Sequence, residues 1–328
     1  MCTSLAARSA GPLFGRNLDL GYSFGEQVVI TPRRYPFPFR LREPLPQHYA
    51  LIGMATVANN YPLYAEAMNE KGLYMAGLNF PGNAYYPPAE DGDTQAVTPY
   101  ELIPLILGRC ADLAQARQIL EGLRLAAIPF APGYPLAPLH WHIADASGCL
   151  VMEATRDGIH LYEDPAGVLT NNPPYPLQLA NLNNYMHLSA RSPENRFAPG
   201  LDLHTVGQGM GAIGLPGDWS PQSRFVRACF LKENALWGDA PEEAVGEFFH
   251  ILDGVAMVRG SVITPEGKPD ITTYSCCIDA STGIYYYKTY GNNQISAVHL
   301  HGADLEGEQL SCFPLIAGQQ ICHVNAES

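Results

Sequence analysis

Pro12-Leu13-Phe14-Gly15-Arg16-Asn17-Leu18-Asp19 is an apolar run that ends in a cation, an amide and an acid. Its length and composition are those of a β-strand. Extended backbone sends Arg16 and Asn17 to opposite sides, so a charged or polar group must be accommodated on whichever face is buried. The same kind of run recurs at Gln27 to Thr31, Ala50 to Val57, Leu63 to Met68 and Leu73 to Phe80, split by Gly, Pro and Asn. The first 80 residues therefore read as strands.

Helices are grouped further along. Thr98-Pro99-Tyr100-Glu101 combines an N-cap, a proline at the first helical position and a capping-box glutamate. Asp112 and Gln115 repeat the arrangement for a second helix reaching about Leu123. Leu139 to Glu163 reads as strand, turn and strand, bending at Asp145-Ala146-Ser147-Gly148. Two more helices are expected after Ser220-Pro221 and after Asp239-Ala240-Pro241-Glu242, followed by a hairpin of Thr272 to Asp279 and Ile284 to Tyr290. Grouped helices between blocks of strands favour a layered α+β fold over a parallel βαβ sheet. With no repeat and no evident linker, residues 1–328 are expected to form a single domain, with the polar stretch 187–206 a protruding loop.

A net charge of −13 leaves no basic footprint for nucleic acid. No run approaches the roughly 20 apolar residues that span a bilayer, and the first residues lack the basic-then-apolar pattern of a secretory signal. A cytoplasmic protein without membrane or nucleic-acid partners is expected. None of the eight cysteines forms a C-x-x-C pair, and buried reduced thiols are the plain reading. The neighbouring Cys276 and Cys277 point to opposite faces of a strand, which disfavours a mutual disulfide.

Cys2 would become the first residue once Met1 is removed, which its small size allows. Its free amine, with an ordinary pKa of about 7.7–8.0, would serve as general base beside the thiol nucleophile. Read alone, position 2 is more simply an idle terminus. Arg16 and Asp19 add weight: a guanidinium beside a thiol favours the thiolate, and a carboxylate can hold an ammonium. A surface ion pair at a strand end is the plainer alternative. Asn79, where an apolar strand ends in Phe80-Pro81-Gly82, and Asn171, before Asn172-Pro173, are candidate oxyanion donors or simple turn residues. Arg224 falls in the first turn of a helix, where the macrodipole disfavours a cation, and so calls for an anionic partner such as Asp218 or a substrate.

Other patterns carry less. Gly207-Gln208-Gly209-Met210-Gly211-Ala212 matches a dinucleotide-binding glycine pattern, but Pro216 and Gly217 interrupt the helix that should follow. His140-Trp141-His142 and His299-Leu300-His301 each place two imidazoles on one strand face without an evident third ligand. The sequence calls for no metal and no cofactor.

Together these segments resemble the choloylglycine hydrolase family, which includes bile salt hydrolases and penicillin V acylases. The resemblance runs nearly end to end. It is carried by Met1-Cys2-Thr3, Gly15-Arg16-Asn17-Leu18-Asp19, Asn69-Glu70-Lys71-Gly72-Leu73, Ala76-Gly77-Leu78-Asn79-Phe80-Pro81 and Leu169-Thr170-Asn171. Leu215-Pro216-Gly217-Asp218, Ser223-Arg224-Phe225, Val255-Ala256-Met257-Val258-Arg259-Gly260-Ser261 and Tyr285-Tyr286-Tyr287 continue it. It implies an N-terminal-nucleophile hydrolase: a four-layer αββα sandwich of two antiparallel sheets between helices, assembled as a homotetramer.

The roles it implies are Cys2 as nucleophile and base, Arg16 beside the thiol and Asp19 on the amine. Asn79 and Asn171 would stabilise the oxyanion, and Arg224 would support the charge network. Leu18, Ala65, Phe130, Tyr134 and Leu139 align with the acyl pocket of bile salt hydrolases. The implied reaction is hydrolysis of glycine- or taurine-conjugated bile salts through a Cys2 thioester, with acyl transfer to amino acids as a side activity. Asn79 favours the bile salt side of the family, whereas the proline-rich loop Ile128 to Pro138 departs from its pattern. A penicillin V or other N-acyl amidase is the alternative enzyme, and an inactive binding homologue the alternative outside enzymes.

Overall fold

The structure, a computed structural model, describes residues 1–9 and 11–325. β1 (Cys2–Arg8) and β2 (Pro12–Leu20) open it as an antiparallel pair, with Cys2 opposite Leu18 and Ser4 opposite Arg16. β3 (Gln27–Thr31), β4 (Leu51–Ala58), β5 (Tyr61–Asn69) and β6 (Tyr74–Asn79) follow. The short strands β7 (Ala96–Val97) and β8 (Arg124–Leu125) flank α1 (Leu102–Arg109) and α2 (Leu113–Glu121). Next come β9 (Leu139–Ala144), β10 (Cys149–Thr155), β11 (Gly158–Glu163), β12 (Val168–Leu169) and α3 (Tyr175–Asn181). After α4 (Pro221–Asn234) and α5 (Pro241–Asp253) the chain returns to strands. These are β13 (Val262–Ile263), β14 (Pro269–Asp279), β15 (Ile284–Thr289), β16 (Asn292–His299) and β17 (Ser311–Pro314).

One antiparallel sheet has the order β12-β1-β2-β14-β15-β16, with β13 added to β14. The other runs β11-β10-β9-β6-β5-β4-β3-β17. α1 packs on β5 and β6, whereas α4 and α5 pack on β1, β12, β14 and β2. The result is the expected four-layer αββα arrangement of the α+β class. Because helices cover the outer faces, central strands are buried on both sides, and β2 is buried from Leu13 to Asp19. One apolar core fills the space between the sheets and continues beneath α4 and α5; a second lies between the larger sheet and α1 and α2.

The helix starts follow the local chemistry. Glu101 Oε2 accepts the Thr98 N–H at 2.9 Å, and a short 3₁₀ turn at Pro99–Glu101 leads into α1. Asp112 Oδ1 accepts the Gln115 N–H at 2.9 Å at the start of α2, and Ser220 caps α4.

Three features depart from the sequence reading. Cys2–Arg8 is a buried central strand, because its partners β12 and β2 come from either side of the sheet and leave no frayed end. Leu139 to Glu163 contains two turns, the second at Arg156-Asp157, and hence three strands. The final hairpin continues into β16, and β17 crosses to pair with β3 of the other sheet. No helix or strand runs through 187–206, where Phe197 is 91% and Val206 89% exposed. Among the described residues no helix is long and apolar enough to cross a membrane.

Candidate active site

The β1–β2 register determines which side chains meet. Arg16 and Leu18 share the face of Cys2 and Ser4, turned toward the other sheet. Asn17 and Asp19 take the opposite face: Asn17 Nδ2 donates to Leu252 O of α5 at 2.8 Å, and Asp19 lies near Arg224 of α4. The two adjacent polar residues are thus each buried, on different sides of one strand.

Cys2 is 5% exposed at the start of β1. Its nitrogen donates to Asn171 Oδ1 at 2.9 Å. Asn171 also accepts from Arg224 Nη2 at 2.7 Å and donates through Nδ2 to Asn79 O at 2.7 Å. A single amide therefore joins β1, the end of β6 and the first turn of α4. Arg224 further donates to Thr3 Oγ1 at 2.7 Å, to Cys2 O and to Trp219 O at 3.0 Å, and stands 4.0 Å from Asp19 Oδ2. Burial depresses its pKa, with Asp19 and Cys2 opposing that effect. Asp218 is not its partner. That carboxylate caps the loop before α4, accepting from Ser220 N at 2.9 Å and Ser223 Oγ at 2.6 Å.

Arg16 is fully buried, and Nη1 donates to Gly77 O at 2.6 Å and Ala65 O at 3.2 Å. Among the described residues its Nη2 has no hydrogen-bond partner. Burial works against its charge, but Cys2, Tyr274 and Glu66 outweigh it and leave the guanidinium above its ordinary pKa. Asp19 Oδ1 accepts from Thr272 Oγ1 at 2.6 Å, while Oδ2 has no hydrogen-bond partner among the described residues. The Met1 ammonium donates to the Asp19 carbonyl and lies 3.7 Å from Asp270 Oδ2.

Cys2 and Arg16 open on a cavity of about 690 Å³ lined also by Met1, Gly77 and Asn79. Leu18, Ala65, Phe130, Tyr134 and Leu139 all line it as well, with Leu20, Phe24, Tyr100 and Trp141. Phe130 holds its place through edge contacts with Tyr100 and Tyr134, ring centroids 5.3 and 5.5 Å apart. The backbone N–H of Phe80 is taken by Pro138 O at 2.7 Å, so at this turn Asn79 is the residue left facing the cavity. The structure thus gathers Cys2, Arg16, Asp19, Asn79, Asn171 and Arg224 at one place.

The sequence reading missed Thr272, Thr3 and Glu66, which hold Asp19, Arg224 and Arg16. Glu66 did leave a signal, as a lone carboxylate inside the apolar strand Leu63 to Met68.

Other groups are held elsewhere. His140 bonds Glu153 at 3.2 Å and Thr170 O at 3.0 Å, and His142 bonds Ser4 Oγ at 2.9 Å with its Nε2 standing 3.1 Å from Asp164 Oδ2. His299 ends β16 and His301 lies in the following turn, so that pair does not share a strand. Burial pushes the thiols of Cys110 and Cys149 up to about 12, which makes them poor nucleophiles. Among the described residues no disulfide joins the cysteines.

Comparison with known proteins agrees with this geometry. The chain is 45% identical over 325 residues to a bile salt hydrolase/transferase of Lactiplantibacillus plantarum, covering 99% of this chain and 100% of that one. A solved variant of the conjugated bile acid hydrolase from Clostridium perfringens superposes with a TM-score of 0.92 at 36% identity, over 99% of this chain and 100% of that one. The penicillin V acylase of Agrobacterium tumefaciens shares the fold, with a TM-score of 0.75 at 18% identity over 97% of this chain and 94% of that one. Residues 2–313 match the model for linear amide C–N hydrolases of the choloylglycine hydrolase family. The chain belongs to the choloylglycine hydrolase family.

Proposed function

We propose that this protein hydrolyses the amide joining a bile acyl group to glycine or taurine, with Cys2 as nucleophile once Met1 has been removed. The observation that carries this reading is the bond from the Cys2 nitrogen to Asn171, with Cys2 itself lining a largely apolar cavity large enough for a steroid body. Removing Met1 turns the Cys2 peptide nitrogen into an amine at that same position. The amine takes the thiol proton, and the thiolate attacks the amide carbon. The resulting oxyanion is stabilised by Asn79. Collapse passes a proton from the ammonium to the departing glycine or taurine nitrogen and leaves a thioester. Water, deprotonated by the amine, then releases the bile acid and restores the thiol. An amino acid replacing that water would give acyl transfer.

Asn171 spends one Nδ2 hydrogen on Asn79 O and keeps its second for the oxyanion. In this reading it also holds the amine and orients Asn79. Asp19, with one carboxylate oxygen available, balances the ammonium, and Arg224 ties Asp19, Asn171 and β1 together. Arg16 supplies positive charge on the thiol side. Leu18, Ala65, Phe130, Tyr134 and Leu139 receive the acyl group.

The exposed apolar side chains of 187–206 are proposed to assemble the chain as a homotetramer, to be checked by light scattering. Free thiols throughout suit a cytoplasmic setting.

The test is amine release from glycocholate, taurocholate and penicillin V by protein whose mass confirms loss of Met1. Release of glycine or taurine supports the reading. Turnover of penicillin V alone would retain the mechanism and replace the substrate. Turnover of none of the three would sink it.

A further inference from the structure

Glu66 stands at the centre of the space between the sheets, fully buried on β5. Its Oε1 accepts from Tyr285 OH at 2.6 Å and faces Cys276 Sγ at 3.6 Å; its Oε2 accepts from Tyr274 OH at 2.7 Å. Arg16 Nη1 lies 3.6 Å from Oε2. The charged or titratable groups around this pair are thus Tyr274 and Cys276 on β14, Tyr285 on β15 and Tyr74 on β6, together with Cys2 on β1.

A buried ion pair contributes little to stability compared with apolar packing, because desolvating both charges costs several kcal/mol. The fold alone does not call for it here, where the surroundings are otherwise a close-packed core. Its geometry has a directional consequence. Glu66, Gly77 O and Ala65 O all engage Nη1, and Nε donates to Asn17 O at 3.5 Å, so the guanidinium is gripped on that side while Nη2 has no hydrogen-bond partner among the described residues. Arg16 also lines the cavity that Cys2 opens on.

We infer that Glu66 is a positioning residue for the proposed reaction: it anchors Arg16 from behind, keeping Nη2 free for the Cys2 side of the cavity and tempering the positive charge felt by the thiol. This rests on the reading of Cys2 as nucleophile. The two tyrosine hydroxyls and the Cys276 thiol hold the carboxylate in place, so the device spans both sheets.

The test uses processed enzyme, Glu66→Gln and Glu66→Asp, and follows iodoacetamide labelling of Cys2 by peptide mass across pH, alongside kcat, KM and melting temperature. Gln keeps the shape and removes the charge. The expected result for Glu66→Gln is a fall in kcat of about tenfold or more with KM within about twofold. The labelling midpoint should move down by about half a pH unit or more, since Arg16 then acts on the thiol without its counter-charge. Glu66→Asp should return the midpoint toward wild type.

A wild-type kcat and midpoint in Glu66→Gln would overturn the inference. So would a loss of activity that follows the melting temperature with the midpoint unmoved. If labelling Cys2 leaves wild-type turnover intact, the nucleophile reading itself fails and takes this inference with it.

Discussion

Asn171 and Cys2 lie 169 positions apart in sequence, yet the Asn171 side-chain oxygen accepts the Cys2 nitrogen at 2.9 Å. The same side chain also bonds Arg224 and the Asn79 carbonyl, so three elements converge on one amide. Asn171→Ala is expected to lower kcat/KM for glycocholate about a hundredfold, through a misplaced amine and a loosened Asn79. Stability should fall by about 1–3 kcal/mol as buried partners lose their bonds. Steady-state amine release and thermal melting check both.

Arg224→Lys keeps the charge and discards the fork. Nε, Nη1 and Nη2 of Arg224 bond four separate groups, a pattern that a lysine ammonium cannot reproduce. Activity is expected to drop about tenfold or more while the protein still folds. Kinetics together with circular dichroism would show it; wild-type kinetics would remove Arg224 from the network.

Phe130→Ala removes an aromatic wall of the cavity. The lost contact with an apolar acyl group corresponds to about 1.5–3 kcal/mol, or a KM for glycocholate raised about tenfold or more with kcat little changed. Amides with short acyl chains, which do not reach the wall, should show little change. Equal effects on both substrates would place Phe130 outside the acyl site.

The Asp218 carboxylate, held by Ser220 and Ser223, has its pKa lowered from 3.8 to about 2. A folded-state pKa below the unfolded one contributes stability that is fully present above about pH 4 and is lost as pH falls toward 2. The group is exposed, so solvent screening keeps the effect small. Asp218→Asn is expected to melt about 1–2 °C below wild type at pH 6, with the gap narrowing below pH 4. Melting curves from pH 6 to 3 test the sign.

Much of this was legible in the sequence because the signals are local. β2 and β3 are short, mainly apolar runs, and α1, α2 and α4 start at caps that the side chains themselves announce. Arg16 and Asn17 could be recognised as polar neighbours that a strand sends to opposite faces. β1 was not legible as a strand, because its seven residues owe their order to neighbours distant in sequence. The role of Glu66 was hidden for the same reason: its partners on β14 and β15 come from the other sheet, more than 200 positions away. Asn171 was read as a donor by residue type, and the acceptor part of its side chain was hidden because Cys2 and Arg224 are distant in sequence.

Gly15 tests the packing of the central sheet. A Cβ there would stand 1.9 Å from the Cys276 carbonyl oxygen, so β2 and β14 could not keep their spacing. Gly15→Ala is expected to destabilise by about 1–3 kcal/mol or more and to lower activity by shifting Arg16. Denaturant titration measures the first effect.

The most direct measurement compares glycine release from glycocholate by three forms verified by intact mass: processed wild type, processed Cys2→Ala, and a chain in which Met1 is retained. Only the first is expected to turn over, the second lacking the nucleophile and the third the free amine. Turnover by Cys2→Ala, or by the Met1-bearing chain at the rate of the processed enzyme, would contradict an N-terminal cysteine mechanism.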